Sequence, residues 1–429
     1  MRIKKSLAVA AIAAMAVATL AACGSDSSDG DASSKGPEKA DIRVGLNGTD
    51  TPDEARDWLK KTFEEQNPGS TLTIEQQEWD GLVERLTTSL SSESETPDVV
   101  EIGNTQAPTF TSAGAFSDLS DQLDSLGGDD LLQGFVDGAT IDGETYAVPY
   151  YAGSKYIFYR KDLFAKAGLE VPTTMDEFVA AAIALKKDNP KPANFSGFWF
   201  PGQDWRNGAA FIWDAGGDLA TADGAEWSGS LASPESVAGL ETAQKLFTEA
   251  SGAAKDGNEA DSWTPFCAGE IGMVSAPGWI KGLIEDPKTG CPDTYGKEIG
   301  VFALPGADGE PAPVLLGGSD IAIAAKSANQ GLAQKAVALM LSEDYQTIMA
   351  EAGLTPALTS LAPLLGDDEF AAATIAAASN AKLTPAAPGW ANVEGSRVLE
   401  DLFVAIAQGG DVAELAAKAD EQMDEQING

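Results

Sequence analysis

The stretch DIRVGLNGTDTPDEARDWLKKTFEEQNPGSTLTIEQQEWDGLVERLTTSLSSESETPDVVEI, residues 41 to 102, determines the fold class. Short strand-like apolar segments alternate in it with segments whose apolar residues recur at helical spacing. The predicted strands span 41–46, 71–75 and 98–102, and the predicted helices 52–66 and 79–90. Strands separated by single helices predict a parallel sheet, because the helix returns the chain to the same end of the sheet. The sequence therefore predicts an α/β fold.

Two polar loops follow predicted strands of this sheet. Asn47-Gly48-Thr49-Asp50 follows the first strand, and Asn104-Thr105-Gln106 follows the third. Ligands of open α/β sheets bind at the carboxyl ends of the strands, so the side chains of Asn47, Asp50, Asn104 and Gln106 are candidate ligand contacts. A helix cap or a simple turn explains each loop equally well.

The chain is long enough for two lobes. It has 429 residues, and folded sequence begins near Asp41, where an apolar alternation starts. The length beyond that point exceeds what one hydrophobic core usually serves.

The first forty residues have the order of an export signal and a spacer. Arg2, Lys4 and Lys5 precede an uncharged apolar run that ends in Leu-Ala-Ala-Cys-Gly at Cys23. This ending resembles the lipobox of bacterial lipoproteins, which implies a signal peptide over 1–22 and an acylated Cys23. Residues 24–40 contain no aromatic or large aliphatic side chain, so 23–40 is expected to be a flexible tether. A signal peptide with a chance cysteine, or an uncleaved membrane helix, are the alternatives.

Charge and cysteine content limit the partners and the compartment. The formal net charge is −38, a field that disfavours binding of nucleic acid and of anionic lipid headgroups. Cys267 and Cys291 remain as an even pair in an exported chain, which predicts a disulfide, the alternative being two buried thiols.

Histidine is absent from the sequence. Its absence excludes Ser-His-Asp and Cys-His catalysis and every histidine-based zinc site, while catalysis by two carboxylates stays possible. No metal and no cofactor is expected.

Several sequence blocks in a fixed order can be compared with known families. The longest is YAVPYYAGSKYIFYRKDLFAKAGLEVPTTMDEF from Tyr146. The other blocks, in order, are PDVVEIGNTQAPTFTSAGAFSDLSD (97–121), FIWDAGGDLA (211–220), FCAGEIGMVSAPGW (266–279), GVFALPG (300–306), LLGGSDIAIAAKS (315–327) and NVEG (392–395). Together these blocks resemble the extracellular solute-binding proteins of carbohydrate ABC importers, the maltose-binding-protein-like class.

The resemblance implies a type II periplasmic-binding-protein-like fold. Two α/β lobes, each a mainly parallel sheet flanked by helices, would be joined by three crossings and would close on a ligand in the cleft between them. The implied first lobe comprises 41–155 plus 319–365, and the second comprises 156–318 plus 366–429. A monomer is expected.

Sugar chemistry indicates which residue types such a cleft needs. Pyranose rings present apolar faces to aromatic platforms and hydroxyls to amides and carboxylates. The resemblance places aromatics at Trp205, Trp279 and Trp390, and Trp79 lies in a comparable polar loop. The full candidate set is Asn47, Asp50, Trp79, Asn104, Gln106, Tyr150, Asp204, Trp205, Arg206, Trp279, Gly318 and Trp390. Further candidates are Tyr151, Ser154, Ser319 and Trp213, the last equally consistent with core packing.

The sequence thus predicts a lipid-anchored receptor on the extracellular face of the cell membrane. It would capture a di- or trisaccharide and deliver it to an ABC transporter permease, with no catalytic step. A secreted glycoside hydrolase with a carboxylate pair is one alternative, and a receptor of the same fold for a peptide or a metal chelate is another.

Overall fold

The computed structural model describes residues 39–79, 81–92, 95–224, 226–259 and 262–429. The predicted signal peptide, Cys23 and the tether up to residue 38 lie outside these residues. The strands are β1 (Asp41–Asn47), β2 (Thr71–Gln77), β3 (Val99–Gly103), β4 (Thr140–Ile141), β5 (Glu144–Thr145), β6 (Ala147–Ser154), β7 (Tyr156–Arg160), β8 (Ser196–Trp199), β9 (Ala220–Asp223), β10 (Glu226–Gly229), β11 (Ile271–Ala276), β12 (Ile299–Phe302), β13 (Leu316–Ile323) and β14 (Thr355–Pro356).

The α-helices alternate with these strands. They are α1 (Asp53–Gln66), α2 (Leu82–Leu90), α3 (Ala107–Ser112), α4 (Leu123–Leu126), α5 (Gln133–Gly138), α6 (Lys161–Ala167), α7 (Met175–Asp188), α8 (Trp205–Asp214), α9 (Pro234–Glu249), α10 (Trp263–Cys267), α11 (Ile280–Glu285), α12 (Pro292–Tyr295), α13 (Gln330–Met340), α14 (Glu343–Glu351), α15 (Glu369–Ser379), α16 (Trp390–Gly395), α17 (Val398–Ala407) and α18 (Val412–Asp424). Short 3₁₀ helices span Ser120–Gln122, Gly128–Asp130 and Thr359–Leu365.

Two sheets organise the chain. The larger has six strands in the order β14-β6-β13-β3-β1-β2, and the smaller has four in the order β12-β7-β11-β8. We call the larger sheet with its helices the first lobe and the smaller sheet with its helices the second lobe. The predicted two-lobed α/β fold is confirmed.

Strand directions differ from the expectation of mainly parallel sheets. β1 is parallel to β2 and β3, as the strand–helix repeat predicts, but β13, β6 and β14 join this sheet through antiparallel pairings. In the second lobe only β8 and β11 pair in parallel. The antiparallel strands are those by which the chain passes between lobes, so no single crossover helix sets their direction.

Each lobe has its own hydrophobic core. Buried residues between 42 and 151 and between 321 and 357 pack around the larger sheet. Those between 156 and 315 and between 373 and 427 pack around the smaller one.

The long extended segment after Tyr146 contributes one strand to each lobe, with Lys155 between the two strands. β6 ends at Ser154 and β7 begins at Tyr156, so one residue separates a strand of the first lobe from a strand of the second. The predicted cap of the following long helix is present, with the Glu177 backbone N–H donating to Thr174 Oγ1 at 3.3 Å. Helix α2 starts later than expected and leaves Trp79 in a loop.

The predicted disulfide joins Cys267 to Cys291, with Cα atoms 5.4 Å apart. Within the described residues, no helix is both long and apolar enough to span a bilayer.

Asp320 provides a test of the first-lobe core. It lies on β13 with 1% of its surface exposed, no described residue bonds its Oδ1, and burial raises its pKa well above 3.8. A carboxyl that holds its proton more tightly when folded makes stability fall as the pH rises above about 4. We expect Asp320→Asn to remove part of this fall, up to about 1.4 kcal/mol per pH unit, in thermal unfolding across pH. The exposed Asp57→Asn variant is the control. If stability falls equally steeply with pH in both variants, the prediction is wrong.

Candidate ligand-binding site

Trp79 and Asp50 form the exposed part of the first-lobe site. The Trp79 indole Nε1 donates to Asp50 Oδ2 at 2.7 Å, and 37% of the Trp79 surface is exposed. Burial raises the pKa of Asp50, although hydrogen bonds from Trp79 and Tyr151 and the charge of Arg56 oppose the shift. The carboxylate therefore holds the ring by its polar edge and leaves apolar ring surface open.

Glu101 lies behind this pair and was not among the sequence candidates. It occupies the middle of β3 with 1% exposure, and burial is the main cause that raises its pKa to about 7. Its Oε1 lies 2.6 Å from Ser319 Oγ and 3.1 Å from Tyr151 Oη. Its Oε2 accepts the Asn47 backbone N–H at 2.7 Å, and the Asn47 amide donates to the Glu101 carbonyl. The Asn47 side chain, a predicted ligand contact, is therefore buried and bonded within the sheet in this structure.

Asn104 and Gln106 lie where the two lobes meet. The Asn104 amide donates to the Leu316 carbonyl at 3.0 Å. Gln106 Nε2 donates to Glu394 Oε2 of α16, also at 3.0 Å, and Thr105 Oγ1 donates to the same oxygen. A cavity of about 20 Å³ beside Asn104 has room for a single water molecule. Asn104 is thus engaged by backbone in this conformation, whereas Gln106 links the lobes.

Asp204, a predicted ligand contact, caps α8 in this structure. It is 1% exposed, accepts the Asn207 backbone N–H as the helix cap, and accepts from the Asn207 amide at 2.6 Å. Burial and the charge of Glu259 raise its pKa. Burial alone would raise the pKa of Glu259 too, but the positive charges of Lys155 and Arg206 outweigh it and lower that pKa.

Arg206 presents a partly exposed cation beside the aromatics. It forms an ion pair with Glu259 at 3.3 Å, its side chain is 36% exposed, and its guanidinium lies 4.7 Å from the centre of the Trp205 ring. Glu259 also pairs with Lys155, the residue between β6 and β7. The guanidinium is therefore tied to the crossing between the lobes.

Trp205 and Trp390 are enclosed, in contrast to the open platforms that the sequence suggests. Both have 0% exposure, and their rings meet edge to face with centres 6.3 Å apart. No described residue accepts a hydrogen bond from either indole Nε1. Isolated loop positions in a sequence do not reveal that one ring covers the other.

Trp279 does have an open face, with 41% exposure at the start of α11. Trp213 belongs to the core: it is 4% exposed, and its Nε1 donates to Asp218 at 2.9 Å.

Tyr150, a predicted ligand contact, lies in the core of the first lobe. Its hydroxyl bonds Thr51 at 2.8 Å and Tyr345 at 2.6 Å with no exposure. Successive side chains of a strand face opposite sides, so Tyr151 turns toward Asp50 and Glu101 instead.

Gly318 contributes close backbone packing. Its φ is +141°, and a Cβ there would lie 2.3 Å from the Tyr151 carbonyl oxygen, so the position requires glycine for the sheet and not for a ligand. Of the further candidates, Ser319 bonds Glu101, and Ser154 is buried with no described partner for its hydroxyl.

The structure thus joins Asp50 to Trp79 and Gln106 to Glu394 by hydrogen bonds. It also places Arg206 beside Trp205, whose ring meets that of Trp390. Glu101, Glu259, Glu394 and Lys155 are the functional candidates that sequence reasoning missed. A charged residue inside the apolar strand VVEIG was a usable signal for Glu101, and the block NVEG contains Glu394. No comparable sequence pattern indicates a role for Glu259.

This architecture matches a known class of binding protein. The family model described as bacterial extracellular solute-binding protein matches residues 48–347, and the chain belongs to that family. It is 32% identical over 438 residues, 99% of both chains, to the diacetylchitobiose binding protein DasA of Streptomyces coelicolor.

Solved structures agree on the fold. The GacH receptor of Streptomyces glaucescens GLA.O, solved unliganded and with acarbose, superposes with a TM-score of 0.77 at 21% identity, covering 91% of this chain and 98% of that one. Maltose-bound MalE3 of T. maritima gives a TM-score of 0.75 at 22% identity, covering 90% and 99%. These similarities establish the two-lobed fold of type II periplasmic sugar-binding proteins.

The contrast in exposure between two tryptophans can be tested by substitution. We expect Trp205→Ala to lower the free energy of unfolding by about 3–5 kcal/mol, because a fully buried ring is replaced by a cavity. Trp79→Ala should change it by no more than about 1 kcal/mol, since much of that ring faces solvent. Denaturant unfolding of both variants checks this, and equal losses would contradict the assignment of the rings.

Proposed function

We propose that this protein is an extracellular receptor that binds an oligosaccharide of two or three rings between its lobes and delivers it to an ABC transporter permease. The observation that carries the proposal is the exposed Trp79 ring, which Asp50 holds at its polar edge. Atoms of this ring and of the Gln106 amide both lie within 3.5 Å of the position that a Cβ on Gly103 would take, and Gln106 also bonds Glu394 of the other lobe. An apolar face next to carboxylate and amide groups is what a pyranose with its ring of hydroxyls requires.

Polar atoms without partners mark the places where hydroxyls would bind. Among the described residues, Gln106 Oε1 and Glu394 Oε1 have no hydrogen-bond donor, and Trp205 Nε1 and Trp390 Nε1 have no acceptor. A hydroxyl can serve as either donor or acceptor, so one sugar chain suits both kinds of atom. Trp279 and Arg206 would add a second platform and a cation from the second lobe.

The names of the relatives support this ligand class. DasA is named for diacetylchitobiose, GacH was solved with acarbose and MalE3 with maltose. All three ligands consist of linked rings, and the first of these proteins aligns with essentially the whole chain.

Binding would proceed by opening and closing of the lobes, taken as 41–155 plus 319–365 and 156–318 plus 366–429. Ligand pockets for small molecules usually measure about 300 Å³ or more, far above the cavity beside Asn104. The lobes would therefore part at the hydrogen bonds from Thr105 and Gln106 to Glu394 and from Thr109 to the Pro388 carbonyl. Hinge closure of this kind is a common switch in binding proteins.

The proposal includes a membrane anchor and excludes catalysis. Residues 1–22 would be a signal peptide, the lipid would be attached at Cys23, and 23–40 would be the tether of a monomeric receptor on the extracellular face of the membrane. A glycoside hydrolase needs two carboxyl groups that reach the substrate. Glu101 contacts the same Tyr151 hydroxyl as Asp50, but it is only 1% exposed. No cofactor is required for binding.

Sugar binding can be measured with the protein's own tryptophans and by calorimetry. We expect N,N′-diacetylchitobiose or maltose to bind and to raise the melting temperature, since a ligand at 100 times its Kd stabilises by about 2.7 kcal/mol. Trp79→Ala should weaken binding about tenfold, or about 1.4 kcal/mol, through loss of the stacking face. The core variant Trp213→Phe is the matched control. No binding to any sugar of a broad panel would refute the proposed function, and turnover of sugar would favour the hydrolase.

The anchor is tested by Cys23→Ser. We expect the variant to be released from the cell and to bind sugar with unchanged affinity, while sugar uptake falls because the receptor diffuses away from the permease. Fractionation and uptake of labelled sugar check both effects. Normal uptake by a released variant would show that the tether is dispensable.

A further inference from the structure

A continuous line of polar contacts runs from the interior of the first lobe to the exposed ring of Trp79. Tyr151 Oη lies 3.1 Å from Glu101 Oε1 and 3.2 Å from Asp50 Oδ2, and Asp50 Oδ2 accepts from Trp79 Nε1 at 2.7 Å. Ser319 Oγ lies 2.6 Å from Glu101 Oε1. Glu101 touches no surface, so its effect on a ligand passes through Tyr151 and Asp50.

The hydrogens available along this line are too few if both carboxyl groups are ionised. Three oxygen–oxygen contacts, Asp50 to Tyr151, Tyr151 to Glu101 and Glu101 to Ser319, each need one hydrogen. The hydroxyls of Tyr151 and Ser319 supply one each. A third hydrogen, bound to Glu101 Oε1, completes the set.

We propose that Glu101 is a positioning residue of the ligand site: as a neutral carboxylic acid it donates its proton to Tyr151, and Tyr151 then donates to Asp50, the carboxylate that holds the indole of Trp79. This proposal rests on the proposed function, because it assigns to Trp79 a role in ligand binding. It assigns no chemical step to Glu101.

The electrostatic surroundings agree with a neutral Glu101. Burial, with a smaller contribution from the charge of Asp50, raises its pKa to about 7, against the hydrogen bonds from Ser319, Asn47 and Tyr151. Burial, with a contribution from the charge of Glu101, raises the pKa of Tyr151 well above 10, so its hydroxyl keeps its proton.

The remaining titratable groups around Glu101 do not replace its proton. Tyr150 from β6 and Tyr345 from α14 also have raised pKa values, because both are buried. Arg56 of α1 contributes a positive charge that partly offsets the effect of burial on the pKa of Asp50. Its guanidinium donates to the Gly48 and Thr51 carbonyls and does not contact Glu101.

Loss of the Glu101 proton should therefore disturb Trp79. Above about pH 7 the ionised Glu101 competes for the single Tyr151 hydrogen, and Asp50 faces a second negative charge. Asp50 then loses the Tyr151 hydrogen bond, and the indole that it anchors loses its fixed orientation. Ligand affinity should fall as the pH rises through this range.

The test compares the wild type with Glu101→Gln and Glu101→Ala, and uses the exposed Glu65→Gln as control. Calorimetry with N,N′-diacetylchitobiose, or with maltose if that is the sugar that binds, is run from about pH 6 to about pH 8.5. We expect wild-type affinity to fall at least about threefold over this range. One linked proton sets the upper limit, about tenfold per pH unit. Glu101→Gln should keep the wild-type affinity of the low-pH end and show no pH dependence, because its amide donates to Tyr151 at every pH.

Glu101→Ala should bind at least about fivefold more weakly at every pH, since it leaves the Tyr151 hydroxyl without its donor. Glu65→Gln should follow the wild type. A wild-type affinity that does not change with pH, or a Glu101→Gln variant as weak as Glu101→Ala, would overturn the proposal while leaving sugar binding intact.

A second readout needs no ligand and separates this proposal from the proposed function. Infrared spectroscopy should show, in the difference between the wild type and Glu101→Gln, a protonated-carboxyl band that is lost near pH 7. The emission of Trp79, obtained as the difference between wild type and Trp79→Phe, should change over the same range. Without these two signals the positioning role fails, and if they appear in a protein that binds no sugar, only the proposed function fails.

Discussion

The segment from Ala147 to Arg160 is one extended chain that serves two sheets, and the rest of the molecule is arranged around it. Its first half pairs with β13 and β14 in the first lobe, and its second half pairs with β11 and β12 in the second. Because only Lys155 separates the halves, the sheets must lie close together at this point. The polar loop at the carboxyl end of β3 therefore comes to lie against α16 of the other lobe, where Thr105 and Gln106 bond Glu394.

Lys155 also connects this crossing to the charges of the site. Its ammonium group contacts Glu259 and lies 3.8 Å from Asp204, and Glu259 pairs in turn with Arg206 beside Trp205. Two carboxyl groups near the site differ in what surrounds them. Glu259 is balanced by two cations, whereas Glu101 keeps a proton because burial is the dominant influence on its pKa. This balance leaves polar groups for hydroxyls in a chain of net charge −38, where an anionic ligand would be repelled.

Sequence reasoning succeeded where the relevant interactions are local. The repeat of strand and helix after Asp41, the cap at Thr174 and the loops after β1 and β3 all depend on neighbouring residues, and each is present. It did not reveal that Tyr150, Asp204 and Trp205 are buried. These side chains are of the types that bind sugars, but their burial depends on residues far away in the chain, such as Tyr345 for Tyr150 and Trp390 for Trp205.

The sequence by itself determined the α/β class, the need for two lobes, the paired cysteines and the polar loops from which a site could be built. Its motifs also indicated the family, because short blocks in a constant order carry that information without coordinates. Only the tertiary structure decided which aromatic rings stay open, since Trp79 and Trp279 face solvent while Trp205 and Trp390 cover each other. It also revealed Glu101, which is buried and contacts Tyr151 of β6 and Ser319 of β13. The physical reason is that exposure and protonation are set by what surrounds a group in space, and those neighbours come from strands distant in sequence.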